Sequence, residues 1–238
     1  MRIGVICEGP TDFIAIEAFL GEALIRRKLS PTFLQIQPDP DNTSDGGWTR
    51  VFYWLSENSP ASRILNYFDG GLFAGNLSGK LCDVLVIQMD SDILDQPSFA
   101  ATLASKGIAV NVATGPNERG SEIERLLTIF SRQDEMTNAD RTRHVIAPAV
   151  EASETWCVAA YNKLKVDPEK MSIQELRDAF GCALAASEGR MPSPPYGEID
   201  KAIKRRQHFC RTHAASRYIE GQAYHFRQMV DRVIASCT

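Results

Sequence analysis

Several acidic side chains in this sequence are placed where they could hold a divalent cation. Each of them directly follows an apolar run, and the set is Glu8, Asp90, Asp92 and Glu151. Carboxylates gathered in one place repel one another and raise one another's pKa unless a cation lies between them. Hard cations such as Mg²⁺ prefer oxygen ligands, and when bound they polarise phosphoryl oxygens and activate water. The pattern therefore predicts a metal site for phosphate chemistry.

The apolar runs before these acids have the pattern of buried strands. They cover residues 2–7, 83–89 and 144–150. The first run is followed by a Gly-Pro turn signal, and apolar residues at helical spacing then extend from Phe13 to Lys28. Because functional residues gather at the carboxyl ends of strands in parallel sheets, we expect the acids to converge at one sheet edge.

The rest of the chain continues this alternation of strands and helices. Further strands are predicted at Phe33–Gln37 and Ile108–Ala113, and helices at 98–106, from Ser121 to about 133, at 151–163, from Ser172 to about 186 and through most of 199–233. The alternation predicts an α/β fold with a Rossmann-like, mostly parallel central sheet flanked by helices. We divide the chain into an α/β domain, residues 1–165, and a helical C-terminal extension packed on it, residues 166–238.

Composition and charge exclude several classes of protein. The chain has 238 residues, a net charge of −4 and 44% hydrophobic residues, which argues against wholesale disorder and against a generic basic nucleic-acid coat protein. Its apolar runs are too short to cross a bilayer, and the N-terminus carries no secretory signal. The six cysteines are scattered without zinc spacing. We therefore expect a cytoplasmic protein with reduced thiols and no membrane partner.

Three segments resemble motifs of a known family. Glu8-Gly9-Pro10-Thr11-Asp12 resembles the first motif of the Toprim domain, which topoisomerases, primases and overcoming-lysogenization-defect (OLD) nucleases share, and Asp90-Ser91-Asp92 resembles its D-x-D motif. Segment 147–160 resembles the Glu-x-Trp helix of small stand-alone Toprim-like proteins, including RloB-like ones. The resemblance covers about residues 2–161 and implies a Toprim-like version of the α/β fold.

The resemblance also implies roles for individual residues. Glu8 matches the glutamate that acts as a metal ligand or general acid/base, and Asp90 and Asp92 match the D-x-D metal ligands. Glu154, with Glu151 one helical turn earlier, matches the acidic region that helps hold a second metal in OLD-like nucleases. Asp12 matches an acid that binds metal or caps the helix. The implied cofactor is Mg²⁺ or Mn²⁺.

A basic stretch near the C-terminus is the candidate phosphate-binding region of this acidic chain. Residues 201–217 contain no acid, and their candidate nucleic-acid contacts are Lys201, Lys204, Arg205, Arg206 and Arg211. Such a stretch is often only the solvated face of a helix, and that alternative stays open. The downstream lysine of OLD-like enzymes would correspond to Lys201 or Lys204. Trp156, by contrast, is expected to be a core anchor.

Two hypotheses of different class follow. The first is a Mg²⁺-dependent Toprim-type nuclease or phosphoesterase, in which Lys204 or Arg205 stabilises developing charge and whose relatives serve in bacterial defence against phage. The alternative is a non-catalytic Toprim-like module that binds nucleic acid or a partner protein such as a separate ATPase. A homodimer is compatible with either hypothesis. A Rossmann-like nucleotide binder is disfavoured, because the first loop lacks G-x-G-x-x-G and a P-loop lysine.

Overall fold

One parallel sheet organises the described part of the chain. The computed structural model describes residues 1–39, 47–68, 81–111, 113–161 and 167–237. Within these ranges, four strands form a parallel sheet in the order β2-β1-β3-β4. The strands are β1 (Arg2–Ile6), β2 (Thr32–Gln37), β3 (Val84–Asp90) and β4 (His144–Ala149). The predicted α/β fold with a Rossmann-like parallel sheet is confirmed.

The strand order creates a crevice between β1 and β3. The chain leaves β1 through helix α1 (Pro10–Ile25) and returns to β2 on one side, whereas β3 pairs with the other side of β1. Ligands of open parallel sheets bind outside the carboxyl ends of the strands at such a reversal of strand order. The loop after β1 and the loop after β3 therefore flank the expected binding crevice.

Helices cover both faces of the sheet. In addition to α1 they are α2 (Trp48–Glu57), α3 (Pro60–Arg63), α4 (Pro97–Ser105), α5 (Pro116–Phe130), α6 (Asn138–Thr142), α7 (Glu154–Tyr161), α8 (Ile173–Ser187), α9 (Ile203–His213), α10 (Ile219–Gln222) and α11 (Tyr224–Ala235). Side chains of β3 alternate between the faces. Val84 and Val86 face a core that includes residues of α1 and α7–α11, and Leu85 and Ile87 face a core that includes residues of α2, α4 and α5.

The C-terminal helices share a core with the sheet. Phe209 of α9 and Phe226 of α11 belong to the same buried cluster as Val5 of β1 and Trp156 of α7. Trp156 is fully buried and packs edge-on against Phe226, so the prediction of a core anchor is confirmed. The predicted boundary at residue 165 falls outside the described residues.

Two predictions about local structure are corrected. Residues 108–111 of the predicted strand 108–113 form no strand, and residue 112 lies outside the described ranges. The main-chain and side-chain amides of Asn111 both donate to the Glu122 carboxylate at 2.8 Å. The main-chain amide of Asn111 is therefore bonded to a side chain and not to a neighbouring strand. Helix α5 begins at Pro116, before Ser121, because the Glu118 carboxylate accepts from the Gly115 amide. The Ser172 capping box is confirmed.

Candidate functional site: a carboxylate cavity at the sheet edge

Two of the predicted site residues, Glu8 and Asp90, are in direct contact. The main-chain amide of Asp90 donates a hydrogen bond of 2.9 Å to Oε1 of Glu8. Glu8 follows β1 and Asp90 is the last residue of β3, so the pairing of these neighbouring strands brings the two acids together. The acids lie side by side at the carboxyl edge of the sheet, as their positions after apolar runs predict.

Three carboxylates and one lysine line a cavity at this edge. The cavity has a volume of about 310 Å³ and is lined by Glu8, Gly9, Pro10, Thr11, Asp12, Gly47, Asp90, Lys201 and Ile203. The amide of Gly47 donates to the main-chain oxygen of Glu8 at 2.7 Å, which ties the start of α2 to the loop after β1. The cavity is therefore built from the loops after two adjacent strands and from the segment that precedes α9.

Asp12 contributes its side chain to the cavity and does not cap α1. The N-cap of α1 is Gly9, which makes no side-chain capping bond, and Asp12 lies one turn into the helix. Ser153 Oγ donates a hydrogen bond of 2.6 Å to Oδ1 of Asp12, and both residues are buried. The capping alternative for Asp12 is thus wrong, and the chain segment after β4 orients this carboxylate.

The carboxyl groups of the cavity hold their protons unusually tightly. Burial raises the pKa of Glu8 to about 8, and the neighbouring Asp12 carboxylate adds to the rise. Burial likewise raises the pKa of Asp12 to about 6, with Glu154 as the next contributor. The pKa of Asp90 is raised well above its ordinary value by burial and then by Asp12 and Glu8. Burial and mutual repulsion therefore disfavour the charged forms of these three acids.

Asp92 lines a second cavity, which shares Lys201 with the first. This cavity has a volume of about 710 Å³, and Asp92, Arg177, Tyr196 and Lys201 are among its lining residues. Burial raises the pKa of Asp92, whereas Lys201 acts in the opposite direction. Lys201 lines both cavities and also opposes the rise of the Glu8 and Asp12 pKa values. It is thus the cation shared by the two halves of the site.

Glu154 is buried in an ion pair and does not line the carboxylate cavity. Its carboxylate accepts a hydrogen bond from Arg206, and both side chains are almost fully buried. The guanidinium of Arg206 also stacks on Phe180, with its carbon 4.7 Å from the ring centroid. Glu154 therefore reaches the site only through its charge, and its predicted role as a metal ligand is corrected to that of an ion-pair partner.

Glu151 points to a different partner. Its backbone has a φ of +59°, and its carboxylate lies 3.0 Å from Nε of Arg119 on α5. Arg119 also binds Asp95 at 2.9 Å and the main-chain oxygen of Ser91 at 2.8 Å. Glu151 thus serves to join the loops after β3 and β4 to α5, and it does not line the carboxylate cavity, contrary to its prediction as a metal ligand.

The five predicted nucleic-acid contacts divide into two groups. Lys201, Lys204 and Arg211 are exposed. On α9, Lys204, His208 and Arg211 form one exposed stripe, because residues three or four apart share a helix face. Arg206 is buried against Glu154, and Arg205 is ion-paired with Glu188 and Asp200. The prediction that Arg205 and Arg206 present their guanidinium groups to phosphate is therefore corrected.

The donors of the cavity suit a hard cation in their chemistry. Glu8, Asp12 and Asp90 offer carboxylate oxygens, and a bound cation would favour the charged forms that burial and mutual repulsion disfavour. Within the described ranges, however, no group of three or more His, Cys, Asp or Glu side chains is arranged to hold a metal ion. These carboxylates would have to come closer together to bind a cation.

Some residues of the site carried no signal in the sequence. Ser153, Arg119 and Gly47 act through contacts with residues distant in the chain, and their residue types are common at such positions.

No family model, no curated protein and no solved structure matches this chain. Among the described helices, none combines the length and the apolar composition that crossing a bilayer requires.

Proposed function

We propose that this chain is a divalent-metal-dependent phosphodiesterase that cleaves nucleic acid. The observation that carries the proposal is the convergence of Glu8, Asp12 and Asp90 on one cavity beside Lys201. These three carboxylates, with Asp92 in the adjoining cavity, would hold Mg²⁺ or Mn²⁺. When bound, such an ion supplies Lewis-acid polarisation of a phosphoryl oxygen and a water of lowered pKa.

Hydrogen bonds within the chain orient two carboxylates of this site. The Asp90 amide fixes one oxygen of Glu8, and the Ser153 hydroxyl fixes one oxygen of Asp12, so each carboxylate presents its other oxygen. Bonds of this kind orient carboxylate ligands and are costly to remove from metal sites. Glu8, whose pKa is about 8, and Asp12, whose pKa is about 6, are both suited to exchange a proton near neutral pH.

Lys201 is the lysine that we assign to the reacting phosphate. It lines the carboxylate cavity and the adjoining cavity, whereas Lys204 is exposed on α9 and is absent from both linings. An ammonium group at this place offsets the charge of a phosphate against the carboxylates. We therefore assign to Lys201 the charge-stabilising role for which the sequence suggested Lys204 or Arg205.

The exposed stripe of α9 would hold the nucleic-acid backbone. Lys204 and Arg211 lie on the helix that begins two residues after Lys201, so the stripe leads away from the carboxylate cavity. Cations on one surface bind a phosphate backbone without regard to sequence. The Toprim resemblance of residues 8–12, 90–92 and 147–160 supports this reading, and with it a role in defence against phage alongside a separate ATPase partner.

A second candidate function is nucleic-acid binding without turnover. It is supported by the same exposed stripe of α9, which needs no metal to attract phosphates. In that case the carboxylate cavity would bind a cation, or none, without cleaving anything. Both candidates place nucleic acid along α9, and they differ in what the carboxylate cavity does.

One experiment separates the two candidates. Purified protein is incubated with plasmid DNA and with RNA in Mg²⁺ or Mn²⁺, beside Glu8→Gln, Asp90→Asn and the matched control Glu17→Gln, an exposed glutamate on α1. Cleavage that both site variants lose and the control keeps supports the phosphodiesterase. Salt-sensitive binding without cleavage by any form, equally strong in both site variants, supports the binding module instead.

A further inference from the structure

Lys201 is carried by a segment without helix or strand. Residues 188–202, here called the strap, join α8 to α9 and have three prolines, at 192, 194 and 195. The strap is anchored in its middle by Tyr196, whose amide donates to Asp178 at 2.7 Å. The Tyr196 ring lies so close to Gly181 that a Cβ there would come within 2.6 Å of it.

Arg205 fastens the end of the strap. Its guanidinium donates at 2.6 and 2.8 Å to the two carboxylate oxygens of Glu188, the first residue of the strap, and also binds Asp200. The other oxygen of Asp200 accepts from the amide of Ala202 at 2.8 Å. Asp200 and Ala202, which flank Lys201, are therefore held by Arg205, Asp200 directly and Ala202 through Asp200.

Arg206 fastens the helix that follows. It is buried, binds Glu154 of α7 and stacks on Phe180 of α8. Glu154 directly follows Ser153, which holds Asp12 in the carboxylate cavity. The first turn of α9, and with it the strap end, is thereby joined to the same short segment that orients a cavity carboxylate.

These contacts have a functional consequence for a long, exposed side chain. A lysine loses rotamer freedom when it is held at one place, and its backbone must be fixed if the ammonium group is to stay near the carboxylates. We propose that Arg205 and Arg206 are positioning residues that hold Lys201 at the carboxylate cavity, a role that rests on the proposed function. In this role Arg205 and Arg206 act through Lys201 and need no contact with substrate.

The first test does not depend on nuclease activity. Trypsin cleaves after lysine, and a bond in a well-anchored segment is cleaved slowly because it must first open. Mass spectrometry follows the cleavage of the Lys201–Ala202 bond in wild type, in Arg205→Gln and in Arg190→Gln. Arg190 is the matched control, because it is exposed and binds the same Glu188 but not Asp200. Arg205→Gln should be cleaved several-fold faster, and Arg190→Gln at the wild-type rate.

The second test is a double-mutant cycle on nucleic-acid cleavage. Arg205→Gln should lower kcat roughly tenfold to hundredfold with little change in KM, since misplacing a catalytic group slows the chemical step. In a Lys201→Ala background the same substitution should have no further effect on kcat. The pair Glu154→Leu with Arg206→Met, which leaves no unpaired buried charge, should behave in the same way.

The outcomes separate this inference from the proposed function. Equal trypsin rates in wild type and Arg205→Gln overturn it, and so does an equal loss of kcat in the two backgrounds. If wild type cleaves no nucleic acid, the proposed function fails, and the trypsin comparison alone decides whether Arg205 holds Lys201. Faster trypsin cleavage together with a loss of kcat that vanishes in the Lys201→Ala background supports the inference.

Discussion

The main-chain amide of Asp90 donates a hydrogen bond of 2.9 Å to the carboxylate of Glu8, although 82 positions separate the two residues in sequence. This bond joins the ends of β3 and β1 at the point where the strand order of the sheet reverses. It brings the second acidic motif onto the first, and Asp12 and Lys201 complete the cavity around them. The proposed metal site depends on this arrangement.

Replacing Glu8 by Gln should abolish cleavage and stabilise the metal-free protein. Glutamine keeps an oxygen for the Asp90 amide but removes a ligand charge, so we expect cleavage to fall by more than ~100-fold. The variant should also melt at a higher temperature than wild type at pH 8.5, because a repelling charge is gone. Calorimetry without divalent ions measures this effect, and an unchanged melting temperature would count against the charge repulsion.

The stabilisation by Mn²⁺ should grow as pH rises. The pKa of Glu8 is raised to about 8 from 4.5, so its protonated form stabilises the fold below pH 4.5 and this stability is lost as pH rises through 8. The pKa of Asp12 is raised to about 6 from 3.8, so the stability that its protonated form contributes is lost as pH rises through 6. A cation replaces these protons, and the rise in melting temperature with Mn²⁺ should therefore be small at pH 5.5 and large at pH 8.5. A rise that is equal at both pH values would contradict the site.

Replacing Glu151 by Gln should leave catalysis largely intact. Its carboxylate is paired with Arg119 and does not line the cavity, so the cost should fall on stability, on the order of 1–3 kcal/mol for a lost charged hydrogen bond. Urea unfolding and cleavage assays beside Asp90→Asn measure the two effects. If Glu151→Gln lost cleavage as completely as Asp90→Asn does, our assignment of Glu151 would be wrong.

Removing the cations of the α9 stripe should change the salt dependence of binding. Each phosphate contact contributes to the slope of log K against log salt, and the slope should fall by about 1 for Lys204→Ala and again for Arg211→Ala. Fluorescence anisotropy with a labelled single strand measures these slopes. His208→Gln, a third exposed position of the stripe, serves as a control that removes no lysine or arginine. Unchanged slopes in both basic variants would place the nucleic acid elsewhere.

The sequence predicts the parts of the structure that depend on a local pattern of apolar and acidic residues. Apolar runs followed by acids indicated β1 and β3, and because adjacent parallel strands end at the same edge, the meeting of Glu8 and Asp90 could be predicted. The false strand at 108–111 has an apolar pattern too, but the bonds of Asn111 to Glu122 draw its backbone toward α5. A competing side chain of this kind is not visible in a pattern of hydrophobicity.

The separate roles of the residues in the basic stretch could not be predicted from the sequence. The sequence does not distinguish between four basic residues, which are Lys201, Lys204, Arg205 and Arg206. In the structure, Lys201 lines the cavity and Lys204 is exposed. Arg205 holds the strap through its ion pairs, and Arg206 is buried. Their roles depend on Glu154, Glu188 and Asp200, and on how α9 packs against α1 and α7. Such partners are set by tertiary packing, so composition and spacing could only indicate that basic residues are concentrated in this region.

The most direct measurement is a crystal structure of the protein soaked with Mn²⁺, with anomalous scattering recorded to locate the ion. We predict an anomalous peak bounded by carboxylate oxygens of Glu8, Asp12 and Asp90, absent from crystals of Glu8→Gln. Well-ordered crystals at pH 8.5 that take up Mn²⁺ at other places while this cavity stays free of the ion would contradict the account.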